Sequence, residues 1–470
     1  MRISGATHYI SAAKEGVLDP KTYLSSLMRK LEPHARSLNL FSMINEKSEA
    51  GKGGALHGLP FSVKDNICVR GFPTRAGSKI LEGYKPPFNA TVVERMKAAG
   101  GSFIGTTNMD EFGFGTFSTN CAFGAPRNPF DDSRSCGGSS GGAAGTTAIL
   151  SHHVALAEST GGSISCPASF CGVVGLTPTY GRVSRYGLID YANSLDKIGL
   201  MARSIDDIAI ALPIIAGKDE RDSTSMTQPE LSISNELIES IAVPEELITA
   251  IHDKRIIDMF SASLKKIEEA GVEVARVSMP SLRYSIPAYY ILACAEASTN
   301  LAKFCGMRYG TAWNAYDKMY NEFFTEVRTA SFGVEAKRRL MLGTFARMAG
   351  YRDQYYMKAL KIRQKIVEEF KGVLKGFDII ATPTMPLLPP RFEKINEMTP
   401  ATVYALDFLT VPPNLAGIPQ VSMPMGYLDD LPVGIHFMAD HWDESKLISV
   451  GRMWEHQMEY RFPMNLEGSP

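Results

Sequence analysis

From Asp258 to Ala270 apolar residues recur at three- and four-residue spacing and stop at Gly271, which predicts an amphipathic helix with a glycine stop. Ser204 to Ala216 predicts another, with a serine cap and two aspartates in its first turn. The alanine-rich stretch Ala143 to Leu150 and the closing segment Ser445 to Tyr460 also predict helices, and Ser11 to Ser42 predicts two short ones. Ser331 to Phe370 is a long charged helical stretch with Gly343 and Gly350 as candidate breaks. Short apolar runs at His153–Ala157, Val272–Val277, Asp378–Thr382, Gln420–Met425 and Val433–Met438 predict strands between these helices. Strands alternating with helices and no polar linker predict one continuous α/β domain over 1–470. Within it we distinguish N-terminal helices (1–55), a glycine- and serine-rich half (56–217) and a helical, strand-returning half (218–470), with the polar stretch Asp219 to Ser234 at the divide.

Composition narrows the function. Lys and Arg total 49 against 50 Asp and Glu, a formal net charge of −1, which argues against a chain that grips nucleic acid by itself. At 44% hydrophobic and 21% charged residues the chain can bury a large core. No apolar run approaches the roughly 18 residues of a membrane span; the nearest, Ile208 to Gly217, is interrupted by Pro213. The start, MRISGATHYISAAKEG, has no apolar core of a signal peptide, and the seven cysteines include no CxxC pair. The expectation is a cytoplasmic protein with reduced thiols, no metal site and no membrane contact.

Three segments carry candidate chemistry: GLPFSVKDN (Gly58 to Asn66), CGGSSGGAAG (Cys136 to Gly145) and ESTGGSISCPASFCGVVG (Glu158 to Gly175). GGSSGG fits a GxSxG elbow around Ser139, but the preceding RNPFDDSRS is polar and turn-like where an elbow needs an apolar strand. A phosphate cradle lacks its lysine. Ser163 follows two glycines beyond a strand, where free backbone N–H groups can face an oxyanion; an ordinary turn is the plain alternative. Lys64 lies among Phe61, Val63 and Ile67, and burial of a lysine favours the neutral amine, a usable base; a lysine whose stem packs on the surface with its head in water is the plain alternative. Cys136, Cys166 and Cys171 flank the serines without a histidine at a nucleophile's spacing, so they read as inert thiols, and His152-His153 reads as a helix end.

Ser139 follows Lys64 by 75 residues and Ser163 follows Ser139 by 24. In this order and spacing the three segments resemble the amidase signature family. TNMDEFGFG (Thr107 to Gly115), GVVGLTPTYGRVSRYGL (Gly172 to Leu188), NSLDKIG (Asn193 to Gly199), LTVPPNLAGIPQVSMP (Leu409 to Pro424) and LPVGIHFM (Leu431 to Met438) are similar to the tRNA-dependent amidotransferase branch of that family. The resemblance implies a mixed central β-sheet covered by helices on both faces. It further implies Ser163 as nucleophile, Ser139 as bridging serine after a cis peptide bond, Lys64 as base, and an oxyanion hole at Thr160, Gly161 and Gly162. Arg339 and Asp407 align with the residues that hold the α-carboxylate and α-ammonium of glutamine. Partners follow in the same way: B and C subunits, charged tRNA bound through them, and ATP with magnesium on a partner rather than on this chain.

The sequence departs from the family in places. Ser159 stands where an acidic residue is usual and Ser165 where arginine is usual, a paired loss of opposite charges. Asn120 replaces a glutamate towards the ammonia exit, which bears on ammonia transfer rather than on hydrolysis. A stand-alone amidase for small amides and an inactive interaction subunit are the other readings the sequence leaves open.

Overall fold

The computed structural model describes residues 5–229, 231–310, 318–463 and 466. Helix starts follow their caps. Asp19 accepts the Thr22 N–H at 2.9 Å to open helix Pro20–Ser37, and Ser204 accepts the Asp207 N–H to open helix Ile205–Ile215. Helix Lys254–Glu269 ends at Gly271 in the left-handed region, and helices Gly141–Ile149 and Glu444–Glu455 form within a few residues of their expected bounds.

The stretch from Ser331 breaks only once. Helices Val334–Arg347 and Tyr356–Leu374 are separated near Gly350, at φ +87°. Gly343 stays helical; a Cβ there would meet the Cys294 carbonyl oxygen at 1.8 Å, so this glycine lets helix Val334–Arg347 press against helix Ser285–Asn300. Close helix packing, not a break, is what it serves.

The strands are β1 (Phe41–Ile44), β2 (Pro60–Lys64), β3 (Ser102–Thr107), β4 (Arg127–Asn128), β5 (Asp131–Ser135), β6 (Val154–Ser159), β7 (Val174–Thr177), β8 (Lys197–Ala202), β9 (Ser240–Pro244), β10 (Glu273–Val277), β11 (Ile379–Pro383), β12 (Gln420–Leu428) and β13 (Leu431–Met438). Eleven form one sheet in the order β1-β3-β2-β6-β8-β7-β12-β13-β11-β9-β10. It is mixed: β2 runs parallel to β3 and β6, whereas β6–β8, β8–β7 and β7–β12 are antiparallel. Strands β2, β6 and β8 are buried at every position, the pattern of strands covered on both faces. RNPFDDSRS, expected to be turn-like, forms the separate polar hairpin β4–β5; it supplies no core strand before Ser139.

On one face Val154, Leu156, Val174 and Leu176 pack with Ile205, Ile208 and Leu212 of helix Ile205–Ile215, all fully buried. Side chains of this size each contribute roughly 1.5–3 kcal/mol on burial. On the other face Ala155 and Ala157 meet Ala143, Ala144 and Ala148 of helix Gly141–Ile149 and Ala168 of helix Ser165–Phe170. A further apolar cluster joins helices Ser285–Asn300, Val334–Arg347 and Tyr356–Leu374. No helix among the described residues is long and apolar enough to cross a membrane.

Candidate active site

Three chain segments meet at the carboxyl ends of the parallel strands β2 and β6. Lys64 is the last residue of β2, Glu158 and Ser159 end β6, and Ser163 follows in the turn before helix Ser165–Phe170. Ser139 arrives from the glycine-rich loop between β5 and helix Gly141–Ile149, where the Gly138–Ser139 peptide bond is cis. That loop is held by Gly138 N–H donating to the Thr116 carbonyl (2.7 Å), and by Asp110 N–H and Ser140 N–H donating to the carbonyls of Ser139 and Ser163. The glycines are required: a Cβ on Gly138 would meet Asp110 Oδ2 at 2.3 Å, and one on Gly162, at φ +146°, would meet Thr410 Oγ1 at 2.2 Å.

Lys64 is fully buried. Its Nζ lies 2.7 Å from Ser139 Oγ, 3.0 Å from the Glu158 carbonyl and 2.9 Å from Glu158 Oε2. Of the two readings the segment leaves open, the structure shows the buried one, among the apolar neighbours Phe61, Val63 and Ile67; no local pattern marks the carboxylate partner. Glu158 also accepts from Asn66 Nδ2 at 3.2 Å and touches Thr160 Oγ1 at 2.7 Å. Thr160 Oγ1 in turn lies 2.8 Å from Asp196 Oδ1, so its hydroxyl bridges two buried carboxyls. Gly162 N–H donates to Ser159 Oγ at 3.2 Å, whereas the N–H groups of Gly161 and Ser163 donate to no described residue.

Ser163 opens onto a recess that also contains Gly161, Gly162, Tyr289, Tyr290, Arg339 and Asp407. Arg339 is 3% exposed on helix Val334–Arg347. Its Nε donates to Glu335 Oε1 (2.8 Å) and a terminal nitrogen donates to the Tyr191 hydroxyl (2.7 Å). Four rings, Phe114, Tyr191, Tyr290 and Tyr404, surround the guanidinium with centroids 5.1–5.8 Å from its carbon. Asp407 accepts from the Tyr290 hydroxyl (2.7 Å) and from Thr116 Oγ1 (3.0 Å). Burial pushes its carboxyl up to about 6, against the pull of those two hydroxyls and of Arg339. Asp110 behind the loop is also pushed up to about 6 by burial, although Asn120 and Ser118 N–H groups donate to it.

All eight residues singled out from the sequence thus gather at one place, with a cation and a carboxyl in the recess beside Ser163. The structure adds Glu158, Asp196, Asp110, Thr116, Tyr191, Tyr289 and Tyr290. Ser159 and Ser165 find neutral partners, Gly162 N–H and His436 Nε2 (3.2 Å), and burial holds His436 down to about 3, uncharged near neutrality. Neither position leaves a charge unpaired. Asn120 ties the loop, donating through Nδ2 to the Phe114 carbonyl while its own carbonyl accepts from Glu111 N–H. Cys166 and Cys171 have their thiols pushed well up by burial, and His153, bonded to Ser62 Oγ at 3.0 Å, follows the helix Gly141–Ile149. No group of residues that could hold a metal ion occurs among the described residues.

Two serine hydroxyls, a buried lysine, free N–H donors and a recess that holds a guanidinium and a carboxyl are a set of groups able to cleave an amide by acyl transfer. Residues 35–448 match the family model described as Amidase. The chain is 44% identical over 414 residues to the A subunit of glutamyl-tRNA(Gln) amidotransferase from Methanococcoides burtonii, covering 87% of this chain and 86% of that one. With the protein of the same name from Sulfolobus acidocaldarius it shares 40% identity over 472 residues, 96% of this chain and 98% of the relative. The crystal structure of the same A subunit from Thermotoga maritima superposes with a TM-score of 0.80 at 37% identity, covering 95% of this chain and 93% of that one. The spacing of Lys64, Ser139 and Ser163, the mixed sheet that brings them together and these matches along nearly the whole length establish that the chain belongs to the amidase signature family.

Proposed function

We propose that this chain is the glutamine-hydrolysing A subunit of a tRNA-dependent amidotransferase, acting in protein biosynthesis. It supplies ammonia for the amidation of Glu-tRNA(Gln) or Asp-tRNA(Asn) on a partner subunit. The observation that carries the reading is the pairing of Arg339 with Asp407 in the recess beside Ser163, opposite charges suited to the two ends of a free amino acid. A guanidinium fork matches a carboxylate, and a buried carboxylate matches an ammonium. The names and extent of the relatives support the same assignment.

In this mechanism Ser163 Oγ attacks the side-chain amide carbon of glutamine. Its proton passes to Ser139 Oγ as the Ser139 proton passes to Lys64 Nζ. The carbonyl oxygen, now an oxyanion, accepts from the free backbone N–H groups of Gly161 and Ser163, each worth about 3 kcal/mol. Returning the proton through Ser139 expels ammonia and leaves an acyl ester on Ser163. Water, deprotonated along the same path, then releases glutamate. In this reading the B and C subunits bind the charged tRNA, and ATP with magnesium serves on the partner, in the cytoplasm; a formal charge of −1 is consistent with tRNA affinity residing on another chain.

The test is glutamine hydrolysis by the purified chain, alone and with its B and C partners and charged tRNA. Turnover is expected to rise on adding them; no rise, together with faster turnover of simple amides, replaces this reading with a stand-alone amidase. A pH dependence also follows from Asp407. Its carboxyl titrates at about 6 in the free protein, and only the ionised form pairs with the substrate ammonium. As the pH falls through about 6, kcat/KM for glutamine should therefore fall more steeply than that for an amide lacking the α-ammonium, which does not depend on this carboxyl.

A further inference from the structure

Lys64 has a neighbour whose effect is opposite to what a base needs. An ammonium has three N–H donors, and Nζ has three acceptors in reach: Ser139 Oγ, the Glu158 carbonyl and Glu158 Oε2. When all three are used, no lone pair faces the Ser139 proton. The ion pair is sealed, with both side chains no more than 1% exposed.

The hydrogen bonds around Thr160 show which carboxyl is charged. Thr160 Oγ1 lies 2.7 Å from Glu158 Oε1 and 2.8 Å from Asp196 Oδ1, but a hydroxyl owns one proton. It can donate to one carboxyl only, so the other contact needs a proton from the other carboxyl. Asp196 is the protonated member: burial, then the charge of Glu158, pushes its carboxyl well up. Its Oδ2 accepts the N–H groups of Tyr191 and Ala192 at 2.9 Å, and its Oδ1 shares the Ala192 N–H at 3.1 Å; a protonated Oδ1 can accept that bond while it donates to Thr160. Thr160 then donates to Glu158, which stays ionised against Lys64 and Asn66.

We propose that Glu158 is a positioning residue that acts through Lys64, holding it as ammonium and setting the pH at which it becomes a base. This rests on the role of Lys64 given above and deepens it. The proton count is simple. The resting site holds one proton on Asp196, none on Glu158 and three on Lys64 Nζ. One Nζ proton must leave to solvent, opening the lone pair, before Ser139 can hand over its own. The other charged groups around the site are Asp110 on the loop after β3, Arg339 on its helix, Arg185 towards Asp196, and Asp407 across the recess. None of these is bonded to Lys64, whereas Glu158 is.

The experiment is the pH profile of kcat at saturating glutamine, where Asp407 is already paired with substrate. Glu158→Gln and Glu158→Ser remove the charge in two shapes. In each, the acidic limb is expected to move down by about 1–3 pH units, so that below the wild-type limb the variant turns over faster than the wild type. Glu158→Asp keeps the charge and keeps the limb in place. Asp196→Asn, a copy of the protonated acid, also leaves it in place. A limb that stays or rises in both charge-free variants overturns the proposal, as does a limb that moves only in Asp196→Asn. Ser163→Ala in the same assay separates the two readings. Hydrolysis that does not depend on Ser163 overturns the proposed function and this inference together; Ser163-dependent hydrolysis with an unmoved limb overturns the inference alone.

Discussion

Ser163→Ala should lower glutamine hydrolysis by about 10⁴-fold or more, because removing a nucleophile that acts as a unit with its proton path costs nearly the whole of the chemical acceleration. The side chain makes no hydrogen bond to any described residue and is 7% exposed, so its loss should leave the fold and its melting temperature nearly unchanged. Glutamate release and a thermal melt, measured on one preparation, check both halves. Lys64→Ala should be as inactive but less clean. It leaves Glu158 buried without its cation, a change that costs about 3–5 kcal/mol in comparable pairs. Inactive and stable for Ser163→Ala, inactive and destabilised for Lys64→Ala, is the expected pattern. A Ser163→Ala protein with wild-type turnover would remove the mechanism.

Arg339→Lys should be the most damaging change in substrate recognition. Two of the five N–H donors of Arg339 are committed to Glu335 and Tyr191, which fixes the plane of the fork and leaves the others for the recess. Lysine keeps a charge but loses the plane, the bond to Glu335 in this geometry and the stacking on four rings. Loss of a buried charge-assisted pair is worth about 2–5 kcal/mol. That corresponds to a fall in kcat/KM of roughly thirtyfold or more, seen mainly in KM. The comparison substrate is a simple amide with no carboxylate, whose turnover should change little. Equal losses on both substrates would mean that Arg339 supports the fold rather than the choice of substrate.

What the sequence made legible, and what it hid, follow one physical line. Ser139 and Ser163 sit in segments whose glycines have no alternative: Cβ atoms at 138 and 162 would collide with Asp110 and Thr410. Such backbone demands leave a visible signature. The helix Ile205–Ile215 was legible because its cap and its apolar spacing agree. Gly343 looked like a break because a mid-helix glycine weakens a helix locally, and only the helix it presses against, far away in the chain, explains it. Glu158 is next to a position singled out for lacking an acid, yet a step of one residue on a strand changes every neighbour. Its importance depends on β2 lying beside β6, which no local pattern encodes. Tyr191, Tyr290 and Thr116 act through contacts with residues more than 100 positions away and belong to the same class.

The tight seat of Gly343 against Cys294 has a bearing on how such an enzyme can change its diet. Tyr289 and Tyr290 ride on one of the two helices it clamps, and Arg339 rides on the other. Ser163, Ser139 and Lys64 are carried by the sheet and its loops. In the proposed reading the residues that cut the amide and the helices that carry Arg339, Tyr289 and Tyr290 thus lie on separate elements, with Asp407 on a third, bonded to both Thr116 and Tyr290. New substrates can be tried by altering a locked pair of helices while the reaction itself is left untouched.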